Sequence, residues 1–370
     1  MKYYIIAGEA SGDLHGSNLM NALKKQDTEA EFRFWGGELM QAHGGELIKH
    51  YKNLAFMGFY EVFKNLPTIL RNISFCKKDI KKYRPDCVIL IDYPGFNLRI
   101  AKYCKLIGIK VFYYISPQVW AWKAGRVKQI KQNVDKMLVI LPFEEAFYKK
   151  FDYKVSFIGH PLLDAINNFP KLDEVAFHTK YKLENKPIIA LLPGSRKQEI
   201  SVMLNIMLSV VNTFKEYQFV VAGAPSIPIE AYKKIVKGRA KIISNDTYSI
   251  LQTAKAALVT SGTATLETAL FKVPEIVCYK GNRISYEIAK RVVKNISFIS
   301  LVNLIMNKEL VKELIQNELN TENLKKQLGL LLEENNKQKI QEGYIELENK
   351  LGGIGASERA AKEIIIALEA

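Results

Sequence analysis

An aspartate closing a very apolar run, an arginine in a Pro-Gly-Ser turn and a hydroxyl-rich turn before a helix are the residues of this 370-residue chain best suited to chemistry. Asp92 follows Cys87-Val88-Ile89-Leu90-Ile91 and precedes Tyr93-Pro94-Gly95-Phe96-Asn97. A carboxylate at a strand end is a natural general base when it faces a ligand; before a proline it also serves as a turn or N-cap aspartate. Arg196 ends Leu192-Pro193-Gly194-Ser195-Arg196, where its planar fork of donors suits phosphate or simply projects from a turn. The stretch Thr260-Ser261-Gly262-Thr263-Ala264-Thr265-Leu266-Glu267 reads as strand end, small-residue turn and helix start. Free backbone N–H groups and the helix dipole make such a turn an anion site. Glu267, about one helical turn beyond Thr263, is spaced to accept both hydroxyls of a ribose; the bland alternative is a capped helix with Glu267 in solvent.

Two other segments carry weaker signals. Glycines at 8, 12 and 16 punctuate Gly8-Glu9-Ala10-Ser11-Gly12-Asp13 and let the backbone approach a ligand, or the segment is a tight turn with Ser11 or Asp13 capping the next helix. Ser116-Pro117-Gln118-Val119-Trp120-Ala121-Trp122-Lys123 holds two of the three tryptophans beside polar groups, a pairing that suits sugar faces and acyl chains as well as plain packing. Missing motifs narrow the field. The chain has no G-x-x-x-x-G-K-[ST], no G-x-G-x-x-G after the first strand, no H-E-x-x-H, no D-x-D and no G-x-S-x-G. Neither a metal site nor a bound cofactor is expected.

The elements that must position these residues are legible from hydrophobic patterning. Apolar runs at 2–7, 86–91, 110–115, 136–141, 187–192, 218–222, 240–243, 256–260 and 275–278 alternate with amphipathic segments, the first from about Asp13. This βαβ pattern, met twice, implies an α/β fold with two parallel sheets. Domains are expected at 1–167 and 186–345, joined by the polar stretch 167–185. A glycine-rich break at 352–355 then precedes a last helix at 356–370 with Ser357 as its cap. Hydrophobic residues at 48% and charged residues at 25% are ordinary for a folded protein. The net charge of +15, +9 of it in residues 1–165, suits an anionic partner without choosing among nucleic acid, lipid and phosphorylated substrate. No nucleic-acid signature accompanies it. The stripe 56–83 mixes aromatic, aliphatic and basic residues and fits either a membrane-facing surface or core with a solvated basic face; Lys123, Arg126, Lys128 and Lys131 form a second basic cluster. No apolar run is long enough for a membrane span, the N-terminal run lacks the features of a secretory signal, and the dispersed Cys76, Cys87, Cys104 and Cys278 read as reduced, buried thiols.

In order along the chain, residues 7–13, 116–122, 192–196 and 261–267 resemble the lipid-A-disaccharide synthases. Met57-Gly58, Glu61-Val62, Leu141-Pro142-Phe143-Glu144, Phe157-Ile158-Gly159-His160-Pro161, Val302-Asn303-Leu304 and Glu313-Leu314-Ile315 match as well. The resemblance runs from about residue 3 to about 325. It implies a metal-independent glycosyltransferase of family 19 and GT-B architecture, with two Rossmann-like domains facing across a cleft. UDP-2,3-diacylglucosamine would donate its sugar, with inversion, to 2,3-diacylglucosamine 1-phosphate in lipid A biosynthesis. It also implies Asp92 as base and Arg196, Gly194, Ser195, Ser261, Gly262 and Thr263 around the diphosphate. Glu267 would take the ribose and Asn303 would help at the donor site, while Glu9, Ser11, Gly12, Ser116, Gln118 and Trp120 would serve the substrates. The expected setting is the cytoplasmic side of a Gram-negative inner membrane, held peripherally, with the final helix folding back in one chain or swapping in a homodimer. One position departs from the pattern. Many members carry a second acid where this chain has Gly95, so Asp92 is expected to be the only carboxylate of its loop. A related UDP-sugar enzyme, such as a 2-epimerase or a transferase to another lipid, would share the second-domain motifs and need not share Gly8–Asp13 or Ser116–Trp122. A non-enzymatic anion binder would need none of them.

Overall fold

The computed structural model describes residues 1–54, 66–122, 124–281 and 298–369; the N-terminal part of the 56–83 stripe, including Met57-Gly58 and Glu61-Val62, and Lys123 lie outside them. The chain divides into two compact units, Met1–Asn167 with Leu351–Ala370, and Asn168–Lys350.

The first unit is built on seven parallel strands: β1 (Lys2–Ala7), β2 (Glu31–Gly36), β3 (Glu46–His50), β4 (Cys87–Ile91), β5 (Lys110–Tyr114), β6 (Lys136–Val139) and β7 (Ser156–Phe157), in the order β3-β2-β1-β4-β5-β6-β7. β4 is buried at every residue, as a central strand between helical layers must be. Two strands stop earlier than their apolar runs suggest. β5 ends at Tyr114 because Ile115 turns left-handed, at φ 66°. β6 ends at Val139 because the N–H groups of Ile140 and Leu141 turn to the Glu144 carboxylate, 3.2 and 2.9 Å away. β2, β3 and β7 were not apparent as apolar runs.

Asp13 corrects the reading of the first turn. The helix Ala10–Gln26 begins before it, with Glu9 at the N-cap position and no side-chain cap. The Asp13 carboxylate is buried and accepts instead from the N–H groups of Gly37 (2.6 Å), Leu39 (3.1 Å) and Met40 (3.1 Å), capping the helix Glu38–Ala42. Ser11 stays exposed.

The second unit carries six parallel strands: β8 (Ile188–Leu192), β9 (Gln218–Gly223), β10 (Lys241–Ser244), β11 (Ala254–Thr260), β12 (Glu275–Tyr279) and β13 (Lys312–Ile315), ordered β10-β9-β8-β11-β12-β13. The segment 321–350 forms two helices, Thr321–Leu332 and Glu334–Lys350. All four cysteines are free and buried. Among the described residues no helix is long and apolar enough to cross a membrane, and no cluster of three metal-ligating side chains occurs.

The final helix, Ala356–Glu369, packs on Ala10–Gln26 in the first unit. Its cap is not Ser357 but Asp164, which accepts from the N–H groups of Gly355 (2.6 Å) and Ser357 (2.8 Å). Beside this contact His15 and His160 are buried. Loss of hydration lowers His15 to about 4 against the opposing pull of Asp164, and lowers His160 to about 3 with repulsion from His15 added. In the unfolded chain both imidazoles take up protons near 6.5. Below that pH the unfolded state binds more protons than the folded one, so stability falls as pH drops from 6.5 toward 4. Equilibrium urea unfolding at pH 7 and pH 5 is expected to show the lower pH weaker by on the order of 2 kcal/mol per imidazole. Replacing both histidines with asparagine should flatten that slope.

Candidate active site

In the first sheet the chain runs from β1 outward through β2 and β3, then returns to place β4 on the other side of β1. The loops after β1 and β4 therefore leave in opposite directions, which opens a crevice at the carboxyl ends of these strands. Glu9 stands on the first loop and Asp92 on the second. Asp92 is exposed, yet enough protein surrounds it that lost hydration, and then the Glu9 carboxylate, raise its pKa to about 6. The acid missing at Gly95 thus has a counterpart from another strand end, and Asp92 does not stand alone.

The backbone under Asp92 is unusual. Asp92 and Tyr93 have φ of 42° and 49°, consecutive left-handed residues with side chains, each costing about 1–3 kcal/mol. The Asp92 carbonyl accepts from Tyr113 Oη (2.6 Å) and Asn97 Nδ2 (2.7 Å), and Asn97 Nδ2 also reaches the Ile91 carbonyl at 3.2 Å. The Tyr93 ring lies so close over Gly8 that a Cβ there would sit 2.4 Å from its Cγ. Gly12 lies in the same tight packing, where a Cβ would meet that of Ala7 at 3.1 Å. The glycines at 8 and 12 thus serve close packing within the crevice wall.

The loop after β5, the next strand over, carries residues 116–120. Ser116 is buried; its hydroxyl pairs with Tyr148 Oη at 2.6 Å and donates to the Pro117 carbonyl at 3.0 Å, so it braces the loop. Gln118 is exposed and Trp120 half-buried, edge-on to Phe143 at 4.9 Å. Trp120 Nε1 is enclosed with no partner among the described residues.

The second sheet repeats the reversal between β8 and β11. Residues 194–196 follow β8 and residues 261–263 follow β11, so both phosphate-suited turns stand at that unit's switch point. Gly194 has φ 100°, and a Cβ would lie 2.8 Å from Glu199 Oε2. Ser195 is exposed. Arg196 is 67% exposed and its guanidinium pairs with Glu199 at 3.1 Å, a surface contact weak enough to exchange for an anion. The helix Thr263–Leu270 starts at Gly262 without a side-chain cap, leaving first-turn N–H groups for an acceptor from outside. Gly262 and Thr263 are exposed, and the Ser261 hydroxyl donates to the Ile299 carbonyl at 2.9 Å. Glu267 is half-buried, not solvated: Tyr248 Oη donates to Oε1 at 3.2 Å, and burial raises the carboxyl pKa.

Asn303 does not fit the role of a ligand contact. It is fully buried. Its Nδ2 donates to the Val311 carbonyl (2.8 Å) and Glu313 Oε1 (2.9 Å), while Oδ1 accepts from the N–H groups of Leu310 (2.8 Å) and Val311 (3.0 Å). All four of its hydrogen-bonding positions are filled. Glu313 also accepts from Ile299 N, Ser300 N and Ser300 Oγ, tying residues 299–303 to the end of the sheet. Tyr113, Asn97, Tyr248 and Glu313 were not singled out as functional from sequence; only the fixed distance of Asn97 from Asp92 within one loop offered a hint.

Two doubly wound parallel sheets with ligand-suited turns at both switch points define a GT-B fold. Solved structures agree: S. aureus MnaA with UDP superposes with a TM-score of 0.72 over 100% of this chain and 97% of that one at 15% identity, and the Neisseria meningitidis UDP-GlcNAc 2-epimerase bound to UDP-GlcNAc with 0.65 over 99% and 100% at 14%. The lipid-A-disaccharide synthetase family model matches residues 3–366. The lipid-A-disaccharide synthase of Syntrophus aciditrophicus is 41% identical over 96% of this chain and 95% of its own length, and that of Geobacter metallireducens 37% over 96% and 94%. The chain belongs to the lipid-A-disaccharide synthase family and is a glycosyltransferase of lipid A biosynthesis.

Asn303→Ala should cost about 2–4 kcal/mol of stability through the groups it strands, measured by urea unfolding. A contact residue would instead weaken donor binding and leave stability near that of the unsubstituted protein.

Proposed function

We propose that the enzyme transfers the sugar of UDP-2,3-diacylglucosamine, with inversion, to the 6-hydroxyl of 2,3-diacylglucosamine 1-phosphate, giving a β-1,6-linked disaccharide 1-phosphate and UDP. The observation that carries this reading is the pairing of Asp92 with Glu9 at one switch point and of Arg196 with an uncapped helix start at the other. Asp92 removes the proton of the acceptor hydroxyl as its oxygen attacks the anomeric carbon. The bond from that carbon to the diphosphate breaks on the opposite face, and the departing charge falls to Arg196 and the N–H groups at Thr263. Glu267, oriented by Tyr248, takes the ribose hydroxyls. Ser11, Gln118 and Trp120 belong to the acceptor side. In this assignment the first unit serves the acceptor and the second the nucleotide, and no resident metal or cofactor is required.

A carboxylate that titrates near 6 is mostly ionised at neutral pH and still basic enough to accept a proton. Protonation inactivates it, so kcat/KM should fall as pH drops through about 6, and Glu9→Gln, by removing a repulsion, should move that limb lower. UDP release from the donor should require acceptor and survive EDTA. Asp92→Asn should lower kcat by about 10²–10⁴-fold, and Arg196→Ala by about 10²–10³-fold. Release without acceptor, or full turnover by Asp92→Asn, refutes the assignment.

Membrane contact is part of the same proposal. The helix Leu66–Tyr83 buries Ile73, Cys76 and Ile80 but exposes Leu70 (52%) and Phe75 (48%) beside exposed Arg71, Lys78, Lys81 and Lys82. An apolar and cationic surface of this kind suits the interface of an anionic bilayer and the acyl chains of both substrates. Sedimentation with anionic vesicles at low salt is expected to weaken when the four basic residues become glutamine and again when Leu70 and Phe75 become serine. Unchanged binding in both variants removes the helix from the membrane surface.

A further inference from the structure

The left-handed pair at Asp92 and Tyr93 is not a conformation that these residues hold unaided, and glycine is absent from both positions. Gly95, two residues on, has open space around the place of a Cβ and contributes no packing. The groups that touch the turn therefore hold it. Two elements supply them, β5 and the helix Pro94–Leu106. The Tyr114 carbonyl at the end of β5 accepts from the Asp92 N–H at 3.3 Å. From the helix Pro94–Leu106, Asn97 Nδ2 donates to the carbonyls of both Ile91 and Asp92. From β5, Tyr113 Oη donates to the Asp92 carbonyl at 2.6 Å. A carbonyl oxygen has two lone pairs, and here both are engaged by side chains whose own bodies are buried: Asn97 and Tyr113 are both 0% exposed. The carboxylate leaves the same residue whose carbonyl is clamped, so the clamp fixes the backbone from which that side chain springs.

We infer that Tyr113 and Asn97 are positioning residues for the proton acceptor Asp92: by gripping its carbonyl they hold the left-handed turn that keeps its carboxylate at the strand end beside Glu9. The inference rests on the assignment of Asp92 as the base. Neither side chain touches substrate, and each acts through the peptide of Asp92. The charged and titratable groups around that peptide are Glu9 from the β1 loop, Tyr93 within the turn and Tyr113 beneath it. The Tyr113 hydroxyl is bonded to the carbonyl of that peptide, whereas the Tyr93 hydroxyl donates away from it, to the Leu54 carbonyl at 3.2 Å. Tyr113 is also kept in its neutral, donating form, since burial, with Asp92 nearby, drives its pKa well above the ordinary range.

The decisive variant is Tyr113→Phe, which keeps the buried ring and removes one oxygen. With saturating donor and acceptor, UDP release is expected to fall at least about tenfold in kcat while the KM for the UDP-sugar stays within about twofold. The acid limb of kcat/KM should shift to lower pH, because a released turn lets Asp92 rehydrate and move away from Glu9. Asn97→Ala should do the same, and the double variant should lose less than the product of the two, since both grip one oxygen. Asp92→Asn is measured alongside. If Asp92→Asn is inactive and Tyr113→Phe keeps both its turnover and its pH limb, the positioning role is overturned with the base intact. If Tyr113→Phe loses turnover only in step with thermal stability, with the limb unmoved, the residue is structural and the inference also fails. If Asp92→Asn turns over normally, the base assignment falls and takes the positioning role with it.

Discussion

A parallel sheet sends every strand's carboxyl end to one edge, and a single reversal of strand order then separates two neighbouring loops there. In this chain the reversal occurs twice, between β1 and β4 and between β8 and β11. Each of those four strands ends in a segment with chemistry to offer, and the glycine and hydroxyl residues that follow them make sense only at that edge. Helix capping, glycine packing and the buried braces of Ser116, Asn303 and Glu313 all serve to keep loops that leave the sheet from wandering.

Electrostatics divides between the two units in complementary ways. In the first, lost hydration and then the Glu9 carboxylate on the neighbouring loop oppose ionisation of Asp92, which makes it more basic than a solvated aspartate. In the second, a loosely held guanidinium and an unfilled helix start offer positive potential. The asymmetry suits a reaction in which a proton leaves one partner while negative charge grows on the other.

How much of this was legible in the sequence depended on whether a feature was local. Runs such as Cys87–Ile91 and Ile188–Leu192 are continuous apolar strands and announce themselves. β3, whose residues Glu46–His50 are none of them fully buried, has no such run, and neither does Lys312–Ile315, which begins with two charged residues. Both were therefore missed. Asp13 looked like a cap for its own helix because capping is judged from neighbours, yet its partners lie more than twenty residues on. The same limit hid Glu9 from Asp92: Gly95 could be seen to lack an acid, but only the fold shows that another strand supplies one. Motif resemblance locates Asn303 without saying which way its amide is spent; in the fold it is filled by Val311, Glu313 and Leu310.

The cap that Asp164 provides for the final helix has a consequence for how the protein is made. The first unit contains residues from both extremes of the described chain, with the whole of Asn168–Lys350 synthesised in between. At about 5–20 residues per second, the ribosome needs on the order of ten seconds or more to traverse that stretch. Throughout that interval the face of Ala10–Gln26 that will receive Ala356–Glu369 is bare, and the carboxylate of Asp164 awaits its two amides. The second unit, contiguous in sequence, can close during its own synthesis. The order of completion is thus the reverse of the order of translation, and the half-built first unit is the species most exposed to chaperones and proteases.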